Sequence, residues 1–214
     1  IKIYVIDGGT KVSGQALVDH IKKYYGTNRV DYLINTHPDL DHISGLTVVM
    51  EQLDVKELWM HKPWEHAHEI IDDILDNRVT VNSLTNRLQD SLKIAKQLEE
   101  MAVERKIPVY EPFQGNNIGH FHVLSPHPDW YNELIKGFNN MPASDKTTFL
   151  GEAVKKFTDT IKTVFENWNI ETLSEDGLTS DKNESSVVLF GRLPNNFYVL
   201  LTADAGLIGL NKAY

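Results

Sequence analysis

Cysteine is absent from the 214 residues. Disulfides, thiolate nucleophiles and cysteine-based zinc sites are thereby excluded, and any metal has to be held by His, Asp or Glu. No apolar run approaches the length of a bilayer span, and no segment has the pattern of a signal peptide. Together these absences predict a cytoplasmic protein. Positive charge is also scarce: 21 Lys and Arg stand against 30 Asp and Glu, for a formal charge of −9. No bulk basic field draws nucleic acid in, so a polyanionic substrate would have to be handled locally, by metal ions. What is present is ordinary, 41% hydrophobic and 24% charged residues, enough to build a core. Repeats, low-complexity tracts and linkers are missing, which predicts a single domain over 1–214 with a helical insertion over 130–182. The chain opens on "IKIYVID", as if within a strand, and ends on "LNKAY"; this reads as a piece of a longer protein.

The first 60 residues alternate between two hydrophobic periods. "IKIYVID" (1–7) has the pattern of a buried strand, closed by Gly8–Gly9. Ala16, Leu17, Ile21 and Tyr24 are spaced for a helix over 13–25, with Ser13 as its cap. A strand over 30–36, a helix over 44–53 and a strand over 55–61 follow. The β-α-β-α-β order predicts an α/β layered architecture. Further on, Leu84, Leu88, Leu92, Ala95 and Leu98 form one stripe of a single helix over 83–106. Strands are predicted at 107–112 and 120–126. Two more, 185–193 and 196–204, are joined by "PNN" as a hairpin turn.

The chemistry concentrates in "THPDLDHISGL" (36–46). His37, Asp39, Asp41 and His42 follow a predicted strand, so they leave the sheet where ligands of open α/β sheets gather. In a tight loop, side chains at these offsets converge, whereas in a regular helix or strand they diverge. Hard oxygen and imidazole donors suit Zn²⁺, Mn²⁺ or Fe. Asp41 and His42 can serve a different ion from His37 and Asp39, and two ions about 3.5–4 Å apart would clamp an attacking hydroxide and a developing oxyanion. A merely polar loop shaped by Pro38 explains a lone His–Asp pair but not this density.

"THPDLDHISGL" resembles the signature loop of the metallo-β-lactamase superfamily, Thr-His-x-His-x-Asp-His-x-x-Gly. With Asp39 in the third motif position it is similar to the form in the lactamase-like domain of ComEC-type competence proteins and their soluble relatives. "VIDGG" (5–9) resembles the family's first motif, and "NESSVVLF…FYVLLTADAG" resembles the ComEC-type pair N-x-x-S-[LV]-V-L … LLTGDA. The resemblance implies an αβ/βα four-layer sandwich, here truncated at its C-terminus. It also implies one or two Zn²⁺ or Mn²⁺ ions: His37 and Asp39 would bind the first, Asp41 and His42 the second. Asp204 would bridge them, since a carboxylate has two oxygens. Asp7 would anchor the loop rather than bind metal. Three departures stand out: Asp39 and Asn183 occupy positions where the family has histidine, and Ala203 replaces a glycine. They make the first site harder and richer in oxygen, which favours Mn²⁺ or a singly occupied site.

The function so implied is a metal-dependent hydrolase, most directly a phosphodiesterase or nuclease, with Asp41 or Asp204 orienting the water and taking its proton. A nucleic acid or nucleotide phosphodiester is then the substrate. Two alternatives stay open: hydrolysis of a small ester, thioester or lactam, and a degenerate, non-catalytic binding or regulatory domain. His61, at a predicted strand end, Asn183 and His127 are candidate substrate contacts. His66 and His68 are expected to be solvated. His120 and His122 are expected on one face of a strand, and Lys155, Lys156 and Lys162 on the surface.

Overall fold

A computed structural model describes residues 1–138, 141, 179–193 and 196–214. Four parallel strands form the first sheet in the order β1-β2-β3-β4: β1 (Tyr4–Ile6), β2 (Arg29–Ile34), β3 (Asp54–Trp59) and β4 (Val109–Tyr110). The second sheet is antiparallel, in the order β5-β6-β7-β8: β5 (Asn117–Ile118), β6 (Phe121–Ser125), β7 (Val188–Leu193) and β8 (Phe197–Leu201). The antiparallel pairing expected of the last two strands is present, with Leu189 opposite Leu201 and Leu193 opposite Phe197.

β2 is apolar on both faces because both are covered. Leu33 packs towards the helices, while Tyr32 and Ile34 face the second sheet. Trp59, Phe121, Val123 and Leu189 complete the layer between the sheets. The other layer is larger. It places α1 (Lys11–His20), α2 (Leu40–Gln52), α4 (Val81–Ser91) and α5 (Lys93–Glu104) on the first sheet through Val18, Leu46, Met50, Leu88 and Leu98. The short α3 (Ala67–Ile70) and α6 (Pro128–Ile135) close one end of it, and α7 (Asp181–Glu184) precedes β7. α8 (Leu207–Ala213) packs against β6, so helices lie on both sheets, as a four-layer α/β sandwich requires. Among the described residues no helix is long and apolar enough to cross a membrane.

Several boundaries differ from the sequence reading, each for a local reason. Thr10, not Ser13, caps α1, its hydroxyl accepting from the Ser13 amide, and the helix ends in a π-turn over Ile21–Tyr25. α2 starts at Leu40, four residues early, which puts Asp41 and His42 in a helical first turn. The apolar stripe over 83–106 is continuous but the backbone is not: Leu92, at φ −119° and ψ 43°, divides it into α4 and α5. His120 lies in the turn before β6, donating its amide to the Tyr4 hydroxyl, and only His122 is in the strand. The start of the expected insertion is instead core, since Tyr131, Leu134 and Ile135 of α6 are buried. Most of the remainder, with Lys155, Lys156 and Lys162, lies outside the described residues.

Candidate metal centre

Asp7 follows β1 in a left-handed conformation, φ 56°, which Asp tolerates better than most residues. Its amide donates to the Ile34 carbonyl at 2.9 Å, extending the β1–β2 ladder by one bond. The carboxylate is thereby turned over the end of β2. Oδ1 accepts from the Thr36 amide at 2.9 Å, and Oδ2 accepts from the Thr36 hydroxyl at 2.6 Å and from His42 Nδ1 at 2.9 Å.

These bonds settle the protons of two imidazoles. The single Thr36 hydroxyl hydrogen goes to Asp7, so Thr36 Oγ1 accepts from His37 Nδ1 at 3.0 Å. His42 Nδ1 donates to Asp7 directly. Both rings therefore present Nε2 in the same direction, with ring centroids 4.1 Å apart. One carboxylate, directly and through one hydroxyl, fixes both tautomers.

Asp204 faces the two Nε2 atoms from the second sheet. Its Oδ2 lies 3.3 Å from His42 Nε2 and 3.7 Å from His37 Nε2. Asp39 Oδ2 lies 3.9 Å from His37 Nε2, while Asp39 Oδ1 accepts from Lys182 Nζ of α7 at 3.1 Å. Asp41 is exposed in the first turn of α2. Burial lowers the affinity of His42 for a proton, but the Asp7 hydrogen bond and the charges of Asp7, Asp204 and Asp41 prevail and push its pKa up to about 9. His37 goes the other way: burial, aided by the charge of His42, keeps its pKa below the ordinary histidine value.

The residues fit a divalent cation. His37 Nε2 is buried without a hydrogen-bond partner, although it aims at two carboxylates. Three carboxylates, Asp7, Asp39 and Asp204, converge on two imidazoles and one ammonium, and negative charge gathered in this way suits a cation. Donor atoms of Asp7, His37 and His42 lie within 4.8 Å of one another, a group able to hold a metal. Because the oxygens of Asp7 are already taken by Thr36 and His42, Asp204 is better placed to complete a donor set with the two histidines. A cleft of about 510 Å³ adjoins the centre, lined by Tyr4, Ile6, Asp7, Thr36, the last two residues of β8, and Thr202 and Ala203 in the turn after it.

Replacing Asp7 with Asn removes an acceptor and leaves both tautomers unfixed. Divalent-ion affinity, measured by chelator competition, is expected to fall about 10- to 100-fold. An affinity within twofold of wild type would mean that the imidazoles orient themselves.

The other candidates are placed differently. Asn183 turns away: its amide donates to the Thr179 hydroxyl at 2.9 Å, and its neighbour Lys182 reaches the centre instead. His127 is an exposed cap of α6, accepting from the Asp129 amide. His61 is buried and stacks on Tyr131, so it does not line an open site. His68 is exposed as expected, but His66 is not; it is buried against Glu111. Sequence reasoning missed Lys182, whose only local signal was its place in "SDKNESS" beside Asn183.

Residues 2–132, more than half of the chain, match the family model of the metallo-beta-lactamase superfamily. No curated protein matches the chain.

Proposed function

The chain belongs to the metallo-beta-lactamase superfamily, a family of metal-dependent hydrolases, and from that premise we propose that it hydrolyses phosphodiesters of a nucleic acid or nucleotide. The observation that carries this reading is the Lys182 ammonium, held on Asp39 Oδ1 at 3.1 Å at the rim of the histidine–carboxylate centre. The scissile group of an ester or lactam is neutral, whereas a phosphodiester carries its full anionic charge on the group that reacts, beside the metal centre where this ammonium stands. On a chain of net charge −9, one cation fixed at the site supplies locally what the surface withholds.

His37 and Asp39 would hold a first ion and Asp41 and His42 a second, and Asp204, which faces both imidazoles, would serve either; a single ion would instead take the two histidines with Asp204. Zn²⁺ or Mn²⁺ held there supplies Lewis acidity and a nucleophile at neutral pH. The protein's own groups do the rest. Asp7 keeps both Nε2 atoms directed inward. Asp204, facing both rings and partly open to solvent, accepts the proton lost by the attacking water, a role Asp41 shares from the helix turn. Lys182 holds a non-bridging phosphate oxygen, and the adjoining cleft takes one arm of the diester.

The test is a substrate panel with added Mn²⁺ or Zn²⁺: bis-p-nitrophenyl phosphate and labelled single-stranded DNA against nitrocefin and thioesters. Phosphodiester cleavage is expected, with Lys182→Ala raising KM about tenfold while kcat changes far less, and Lys182→Arg restoring much of the loss. Turnover of nitrocefin or thioesters alone would replace this reading with the small-ester one. A metal-loaded protein that cleaves nothing would point to a binding domain.

A further inference from the structure

Glu184, at the end of α7, is the most deeply buried carboxylate among the described residues, 1% exposed. No basic side chain among those residues pairs with it. What it meets is backbone: Oε2 accepts from the Gly209 amide at 2.5 Å, in the first turn of α8. The first amides of a helix have no partner within it, and Gly206, the residue before α8, has no side chain to cap them. Glu184 supplies that cap from another element, with its charge at the favourable end of the helix. Burial raises its pKa above the ordinary carboxylate value, against the pull of the Gly209 and Ile208 amides. Keeping a carboxylate in such a place costs stability, so the contact it makes calls for a reason.

Two glycines make room for it. A Cβ on Gly206 would overlap Glu184 Oε1, and one on Gly209 would lie 2.9 Å from Oε2. The carboxylate thus lies directly against the 206–209 backbone, which begins two residues after Asp204.

Both ends of this contact lead to the metal centre. On one side, α7 carries Lys182, whose ammonium reaches Asp39 Oδ1. That side is pinned to the motif loop, because the Val187 amide donates to the Thr36 carbonyl at 3.0 Å. On the other side is the turn that carries Asp204, closed by the Ala205 amide on the Thr202 carbonyl at 3.1 Å. Within that turn Ala203 sits at φ 47°, a conformation that persists only where the surroundings hold it.

We propose that Glu184 is a positioning residue of the metal centre: it ties α8 to α7 and so holds the Asp204 carboxylate over the two imidazoles. It acts through Asp204, whose Oδ2 lies 3.3 Å from His42 Nε2 and 3.7 Å from His37 Nε2. The proposal rests on Asp204 belonging to the centre and not on which substrate is cleaved.

The experiment measures divalent-ion affinity, by chelator competition, in wild type, Glu184→Ala, Asp204→Asn and the double variant. Glu184→Ala is expected to bind about tenfold more weakly, as when a group behind the ligands is lost. In the Asp204→Asn background the same change should cost less than about twofold, because the group it positions is gone. Glu184→Gln keeps an oxygen for the Gly209 amide and should recover most of the loss. A residue that only stabilised the fold would cost the same in both backgrounds. An undiminished loss in the Asp204→Asn background would therefore overturn the proposal, as would a Glu184→Ala affinity within about twofold of wild type. Should Glu184→Ala not fold, Glu184→Asp takes its place: one methylene shorter, it must draw the turn inward or release it, and the same two outcomes decide. A wild-type protein that binds no divalent ion would instead remove the metal centre, and the proposal with it.

Discussion

Asp204→Asn is expected to lower metal-dependent cleavage by roughly 10²–10³-fold, the loss seen when one preorganised electrostatic group leaves an active site, and to weaken divalent-ion binding as well. The argument rests on position. Asp204 Oδ2 is the group nearest to both free imidazole nitrogens, at 3.3 and 3.7 Å, and it comes from the second sheet while they come from the first. It is thus the residue that closes the centre across the sandwich. An asparagine removes one negative charge and leaves a single oxygen, where the carboxylate had two, to face a cation. The effect should separate from misfolding through His42. Asp204 is one of the charges holding that imidazole near a pKa of 9, so the metal-free variant should titrate closer to the ordinary histidine value. Imidazole NMR reads this directly. Binding and cleavage within about threefold of wild type would remove Asp204 from the centre, since even groups behind the ligands cost 10- to 100-fold.

The turn that carries Asp204 supports the same view. Ala203 adopts φ 47°, a left-handed conformation that glycine takes freely and that costs another residue about 1 kcal/mol or more. Asp7, on the opposite sheet, sits at φ 56°. Strain at both carboxylates that face the imidazoles is what a preorganised centre looks like.

Much of this was legible in the residues. The two-sided apolar β2 and the periodic α1 and α2 follow from local pattern, and so does the crowding of donors after β2. Legibility stopped where tertiary contacts decide. Nothing near Asp7 shows that it sets the proton of His37, because the message passes through Thr36 Oγ1, 29 residues along the chain. Lys182 meets Asp39 across 143 residues. His66, two residues from an exposed His68, is buried because Pro63 starts a 3₁₀ turn that folds it onto Glu111. A stripe such as 83–106 reports which face is buried but not whether the axis breaks, and Leu92 stays on the stripe while ending a helix.

Gly45→Ala is the second large expectation, and it explains the glycine of "HISGL". A Cβ at position 45 would overlap the Gly8 carbonyl oxygen, lie 2.5 Å from the Gly8 carbonyl carbon and 2.7 Å from the Thr10 oxygen. These are backbone atoms, so no side chain can move aside. The approach is reciprocal: a Cβ on Gly8 would lie 2.5 Å from the Gly45 carbonyl carbon, and one on Gly14 would lie 2.6 Å from the Gly45 Cα. Three glycines therefore let α1, α2 and the turn after β1 meet at backbone contact. Two hydrogen bonds lock that contact, Gly8 N–H to the His42 carbonyl at 2.7 Å and Gly45 N–H to the Gly9 carbonyl at 2.8 Å. Overpacking against side chains usually costs 1–3 kcal/mol, and against backbone the cost should be about 3 kcal/mol or more, read from urea unfolding. The same displacement pushes Asp7 off His42 Nδ1, so metal affinity should fall at least as far as in Asp7→Asn. A folded Gly45→Ala protein with wild-type affinity and a loss under about 1 kcal/mol would mean that the two helices can separate without disturbing the centre, and that the glycine is not what positions Asp7.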